Sequence, residues 1–126
     1  MDYVATNGAP KAIGPYSQAV KANGLVYTSG QIPLDPATGD LVTGDFDKEV
    51  RRVFENLAAV LREAGSDFSR VLKATVYLSD LANFQAMTAI YAEYFGDHKP
   101  ARTTIESKFH QSEMLVEIDC VAYKPR

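Results

Sequence analysis

The sequence predicts an α+β fold, a β-sheet covered on one face by two helices, and three patterns carry that expectation. Two segments place apolar residues at helical spacing, several short segments alternate apolar and polar residues, and the two kinds are interleaved along the chain. With 126 residues and no internal repeat, low-complexity stretch or linker, residues 1–126 read as a single domain.

The elements follow in order. Asn23-Gly24 separates the runs Gln18 to Lys21 and Leu25 to Ser29, a strong short-range hairpin signal. The first helix carries Val50, Val53, Phe54, Leu57, Val60, Leu61 and Ala64 on one face. Asp45 or Asp47 suits its N-cap, and Gly65 suits a left-handed stop. The segment Val71 to Leu78 alternates, with Leu72, Ala74, Val76 and Leu78 on one face and Lys73, Thr75 and Tyr77 on the other. A second helix is expected to begin near Asp80, to present Leu81, Phe84, Met87, Tyr91 and Phe95 to the core, and to end at Gly96. Arg102 to Lys108 alternates again. So does Leu115 to Tyr123, where Val116, Ile118, Cys120 and Ala122 oppose Leu115, Glu117, Asp119, Val121 and Tyr123. A face that mixes two carboxylates with Val121 suits either solvent or an assembly surface, and periodicity leaves both open. Asn7 to Pro15 and Pro33 to Gly44, rich in Pro, Gly and Asp, read as loops.

Composition narrows the function classes. The net charge is -3 and the basic residues are scattered, so no focused field for nucleic acid is evident. Cys120, the sole cysteine, cannot form an internal disulfide and fits a reducing compartment. The N-terminal residues lack the pattern of a secretory signal, and no apolar run approaches the roughly 20 residues of a membrane helix. A soluble, cytoplasmic protein is expected. His98 and His110 are too far apart for a close-spaced metal motif and read as surface residues. Nucleophile-elbow, phosphate-loop and dinucleotide glycine patterns are missing, so a cofactor-free protein is the default.

Three segments are unusual for a purely structural chain. Ala12-Ile-Gly-Pro-Tyr-Ser-Gln-Ala19 sets a tyrosine after a Gly-Pro turn, Ser29-Gly-Gln-Ile-Pro33 sets a serine and a glycine at a strand end, and Pro100-Ala-Arg102 sets a fixed cation at a strand start. Singly, composition favours plainer readings: Tyr16 as a core aromatic, Ser29 as a turn residue and Arg102 as a surface cation. Taken in order with Asn56 to Gly65 (NLAAVLREAG), Val71 to Asp80 (VLKATVYLSD) and Val116 to Ile118 (VEI), they closely resemble the RidA (YjgF-type) family over nearly the whole chain.

That resemblance implies a chorismate-mutase-like fold, a mixed sheet with two helices on one face. It implies a homotrimer whose uncovered sheet faces pack inward, which would account for Val121 beside Glu117 and Asp119, and clefts between neighbouring subunits. The implied activity is cofactor-free hydrolysis of 2-imino acids or enamines, such as 2-iminopropanoate and 2-iminobutanoate, to 2-oxo acids and ammonia. By position, Arg102 matches the arginine that binds the substrate carboxylate, and Glu117 the glutamate that positions or activates water. Tyr16 and Ser29 match pocket residues, and Gly30 a point of close backbone approach. Thr104, on the Arg102 face of its strand, stands where many relatives carry cysteine. Thr88 stands where close relatives often carry asparagine on the second helix, and Phe109-His110 where many carry Leu-Pro. Alternation puts Cys120 on the helix-covered face, as an inert core thiol. Two other roles compete. A non-catalytic binder of 2-oxo acids or similar carboxylates needs Arg102 but not Glu117. A nucleic-acid role is opposed by the acidic balance.

Overall fold

The structure, a computed structural model, describes residues 1–125. Strands β1 (Asp2–Val4), β2 (Ala19–Ala22) and β3 (Leu25–Thr28) precede helix α1 (Phe46–Glu63). Strand β4 (Val71–Leu78), helix α2 (Phe84–Phe95), β5 (Ala101–Glu106) and β6 (Val116–Tyr123) follow. The strands form one sheet in the order β1-β2-β3-β6-β4-β5. Strands β4 and β5 run parallel, with α2 as the crossover that a parallel pair requires, and the other pairs are antiparallel. The sheet is therefore mixed, with both α-helices packed on one side, as expected.

Local chemistry explains most boundaries. Asn23 and Gly24 both take positive φ, 53° and 77°, the backbone of a two-residue turn matched to strand twist. Of the two candidate caps for α1, Asp45 takes the position, accepting from Lys48 N at 3.2 Å, and Gly65 (φ 83°) lies beyond the helix end. Strand β1 was not legible: at three residues it is too short to show alternation, and pairing with β2 places it.

Two expectations need correction. Leu72 does not share the core face with Ala74. Val71 pairs with Ala122 and Lys73 with Val121, so a bulge leaves Leu72 unpaired and 47% exposed while Val71 enters the core. On α2, Leu81 and Phe84 are exposed and Ile90 is buried instead. Asp80 caps a separate 3-10 turn, Leu81–Asn83, and α2 starts only at Phe84. The tighter turn breaks the phase of the apolar stripe. The core between helices and sheet centres on Phe54, whose ring stacks on Tyr94 at 4.6 Å and meets Phe68, Tyr91 and Phe95 edge-on.

Pairing fixes the faces that matter for function. Ala74 is opposite both Cys120 and Arg102, and Val76 is opposite both Ile118 and Thr104, so Arg102 and Thr104 lie on the helix-covered side. Tyr77 is opposite both Glu117 and Ile105, so Glu117 lies on the other side. No helix packs on that second face, which exposes Tyr27, Ile105 and Tyr123. Among the described residues no helix is long and apolar enough to cross a membrane.

Candidate active site

The open face of the sheet carries a cavity of about 560 Å³. Glu117, Ser29, Gly30 and Tyr16 line it, with Ile13, Ile32 and Leu34 as apolar walls. Gly30 reaches Glu117 because Gln31 bridges to Ile118: Gln31 N donates to Ile118 O at 2.8 Å and Ile118 N returns to Gln31 O at 3.2 Å. A Cβ on residue 30 would fall 2.9 Å from Glu117 Cδ and closer still to Oε2. The carboxylate thus occupies the space that a missing side chain leaves open. Burial raises the Glu117 pKa and the nearby Asp119 charge raises it further, while His110 opposes both. Asp119 is raised chiefly by burial, and it accepts from Tyr77 OH at 3.0 Å.

The walls are held by buried polar side chains. Gln18 accepts from Thr6 N at 2.6 Å and donates to the carbonyls of Thr6, Ala9 and Pro10, which ties down the loop before Tyr16. Asn56, fully buried on α1, donates to Ile32 O at 3.1 Å and Leu34 O at 2.9 Å, fixing the opposite wall. The Ser29 hydroxyl donates to Ser17 O at 2.5 Å. Its proton is committed, so toward a ligand Ser29 can only accept.

Arg102 is elsewhere. Its guanidinium lies 4.8 Å from the Tyr91 ring centroid and 5.2 Å from that of Phe84, within cation–π range of both. With Tyr91, His98 and Lys99 it lines a smaller cavity of about 220 Å³. None of the ion pairs or side-chain hydrogen bonds among the described residues involves Arg102. Thr88 Oγ1, Tyr91 OH and Thr104 Oγ1 are buried without a hydrogen-bond partner among the described residues. Thr88 and Tyr91 are three apart on α2 and so share a face, and Thr104 is two residues from Arg102 on β5. A buried unpaired hydroxyl is costly unless something satisfies it.

The seven residues singled out from sequence therefore separate into two groups within one chain. Tyr16, Ser29, Gly30 and Glu117 meet in the larger cavity, whereas Arg102, Thr104 and Thr88 lie toward the helices on the opposite side of the sheet. Three contributors went unrecognised. His110 is an exposed loop residue, as expected, but it also lines the cavity with Glu117. Gln18 and Asn56 act through the backbone of the walls, and only their place inside distinctive motifs hinted at it. His98 departs from its expected surface role: it is half-buried, and Nε2 donates to Val71 O at 2.6 Å. Cys120 is buried as expected, and burial pushes its thiol pKa up to about 12, which makes it a poor nucleophile.

Comparison with known proteins agrees with the fold. The family model described as Endoribonuclease L-PSP matches residues 6–124. A RutC family protein of Pyrococcus abyssi is 46% identical, aligned over 98% of this chain and 97% of its own. The chloroplastic Reactive Intermediate Deaminase A of Arabidopsis thaliana is 41% identical over 96% of this chain and 65% of its own longer one. A crystal structure of E. coli TdcF with bound serine superimposes with a TM-score of 0.92 at 32% identity, covering 99% of this chain and 100% of that one. The distinctive motifs, the helix-backed mixed sheet and these relatives agree that the chain belongs to the RidA/YjgF family, with its chorismate-mutase-like fold.

Proposed function

We propose that the protein hydrolyses reactive 2-imino acids and enamines, such as 2-iminopropanoate and 2-iminobutanoate, to 2-oxo acids and ammonia. In this reading the whole chain acts as one domain, without a cofactor, in the cytoplasm, as a homotrimer with sites between neighbouring subunits. The observation that carries the reading is the Glu117 carboxylate, held against Gly30 in an apolar-walled cavity on the face opposite Arg102. One chain does not present both groups to one small molecule. A second copy packed on the open face can complete the site. The apolar side chains exposed there, Tyr27, Ile105 and Tyr123, favour such packing.

The chemistry follows from the two groups. A guanidinium is permanently charged and grips a carboxylate through two parallel hydrogen bonds, and among the described residues Arg102 has no ion pair to give up for it. Protonation of the imine nitrogen makes C2 electrophilic. Water held by Glu117 attacks C2 and gives a tetrahedral carbinolamine. Proton transfer to nitrogen then releases ammonia and leaves the 2-oxo acid. The raised pKa of Glu117 makes it a better base than an ordinary surface carboxylate. General acid–base help of this kind contributes about 10²–10⁴-fold, and orientation by Arg102 adds to it.

The test is a coupled assay. A serine or threonine dehydratase generates the imine in situ and semicarbazide traps it. Added protein is expected to reduce semicarbazone formation, and an unchanged yield defeats the hydrolytic reading. One observation favours a second reading, binding without turnover: the relative TdcF holds serine in its crystal structure. Calorimetric binding of a 2-oxo acid by a protein inactive in the coupled assay would select that role.

A further inference from the structure

We propose that His110 is a further catalytic residue, the group that delivers a proton to the substrate nitrogen while Glu117 takes one from water. This inference rests on the hydrolytic reading above and assigns a second proton-transfer group to the same site. The reaction makes two demands at once. Attack by water at C2 releases a proton on oxygen, and cleavage of the C–N bond requires protons on nitrogen. A lone carboxylate must meet both in succession. An acid and a base facing one cavity meet them together.

Glu117 is the one carboxylate among the residues that line the cavity, and His110 is the one imidazole. The other polar groups suit the acid role less well. The Ser29 proton is committed to Ser17 O and is not free for the substrate nitrogen. Lys11 also lies in the lining. Imidazole exchanges its proton near neutral pH. None of the hydrogen bonds among the described residues occupies the His110 ring. The segment that carries it, between β5 and β6, is tied at both ends. Ser107 N donates to Leu78 O at 2.8 Å, and Leu115 N donates to the buried Glu49 Oε1 at 3.0 Å. The charged residues that line the cavity with His110 are Glu117 and Lys11, and Asp119 lies two residues beyond Glu117 on β6. A cationic His110 favours the ionised form of Glu117, against burial and the Asp119 charge.

The proton count closes over one turnover. In the addition, Glu117 takes a proton from water as its oxygen bonds to C2, and the His110 imidazolium gives a proton to the imine nitrogen. This yields the neutral carbinolamine. In the breakdown, protonated Glu117 returns its proton to nitrogen, the C–N pair leaves with ammonia, and neutral His110 takes the hydroxyl proton as C=O forms. One water enters, one ammonia leaves, and both side chains regain their starting states.

The experiment compares wild type with His110→Gln in the dehydratase-coupled assay from about pH 6 to pH 8.5, the range in which imidazole titrates. Each rate is expressed relative to uncatalysed hydrolysis at the same pH, with the melting temperature as a folding control. Wild-type kcat is expected to fall as pH rises and the imidazolium is lost. His110→Gln is expected to lower kcat about 10²-fold at the acidic end, to leave KM nearly unchanged, and to lack that fall. Wild-type kcat in the variant overturns the proposal, as does an equal loss at every pH with the profile shape retained. A wild-type protein that fails to accelerate hydrolysis sinks the deaminase reading and this inference with it. The two failures are distinct, because the first leaves an active wild type.

Discussion

The two halves of the candidate site are built in opposite ways. The Glu117 half is a preformed cavity with apolar walls, braced from behind by Gln18 and Asn56, and its carboxylate fits over a glycine. The Arg102 half is a cation laid on two aromatic rings at the sheet edge, near hydroxyls that have no partner among the described residues. One half has shape and a base. The other has charge and unsatisfied polarity. They occupy opposite faces of the same sheet, so each lacks what the other supplies. In the proposed chemistry, the contrast makes the two groups half-sites that only assembly can join.

The largest expected effects test that contrast directly. Arg102→Ala should abolish turnover with the fold intact, since it removes the counter-charge of the ligand and breaks no ion pair among the described residues. Glu117→Gln should retain carboxylate binding and lose hydrolysis. Mixing the two inactive variants, with subunit exchange, should restore about one quarter of wild-type activity, because random pairing in a closed ring gives that fraction of interfaces an intact arginine and an intact glutamate. The recovery is read in the dehydratase-coupled assay. No recovery after exchange verified by mass spectrometry means that the halves do not meet across subunits.

Gly30→Ala gives a smaller effect that is confined to one half. The added Cβ collides with the far end of the Glu117 side chain, which can swing away, so the base moves while the backbone stays. We expect kcat to fall about 10²-fold, the size of a lost general base, with the melting temperature and carboxylate affinity nearly unchanged. A variant that melts much earlier, or that loses affinity as strongly as rate, would show that Gly30 serves the fold rather than the position of Glu117.

How much of this was legible in the sequence differs between the halves. The β6 alternation alone separated Glu117 from Cys120, and the family resemblance carried by the ordered motifs supplied Arg102, Gly30, Tyr16 and Ser29. What stayed hidden acts through the third dimension. Asn56 looks like one polar residue in a helix until the carbonyls of Ile32 and Leu34 are seen against it. His110 sits in irregular backbone, where no period predicts a direction, so nothing local turns it toward Glu117. The Leu72 error has a related cause. A bulge breaks the two-residue period without any glycine or proline to announce it.

The smallest effect concerns the brace behind the His110 segment. Glu49 is fully buried on α1; Oε1 accepts from Leu115 N, and Oε2 has no partner among the described residues. Burial raises its pKa, the Leu115 hydrogen bond offsets part of that, and the Asp45 charge raises it further. The folded state therefore favours the neutral acid. Its contribution to stability is fully present below the ordinary carboxylate range and is lost as pH rises through the raised value. Glu49→Gln keeps an oxygen for Leu115 N and removes the ionisation. We expect the melting temperature to rise on the order of 3 °C at neutral pH, with the gap shrinking toward acidic pH, where wild-type Glu49 is already neutral. Thermal melts from about pH 4.5 to pH 8 read this directly. A gap of constant size, or one that widens in acid, would mean that the wild-type carboxyl is not the group titrating. The side-chain hydrogen bond of Glu49 goes to Leu115, just before β6, so affinity for a carboxylate at Arg102 is expected not to change with pH in step with it.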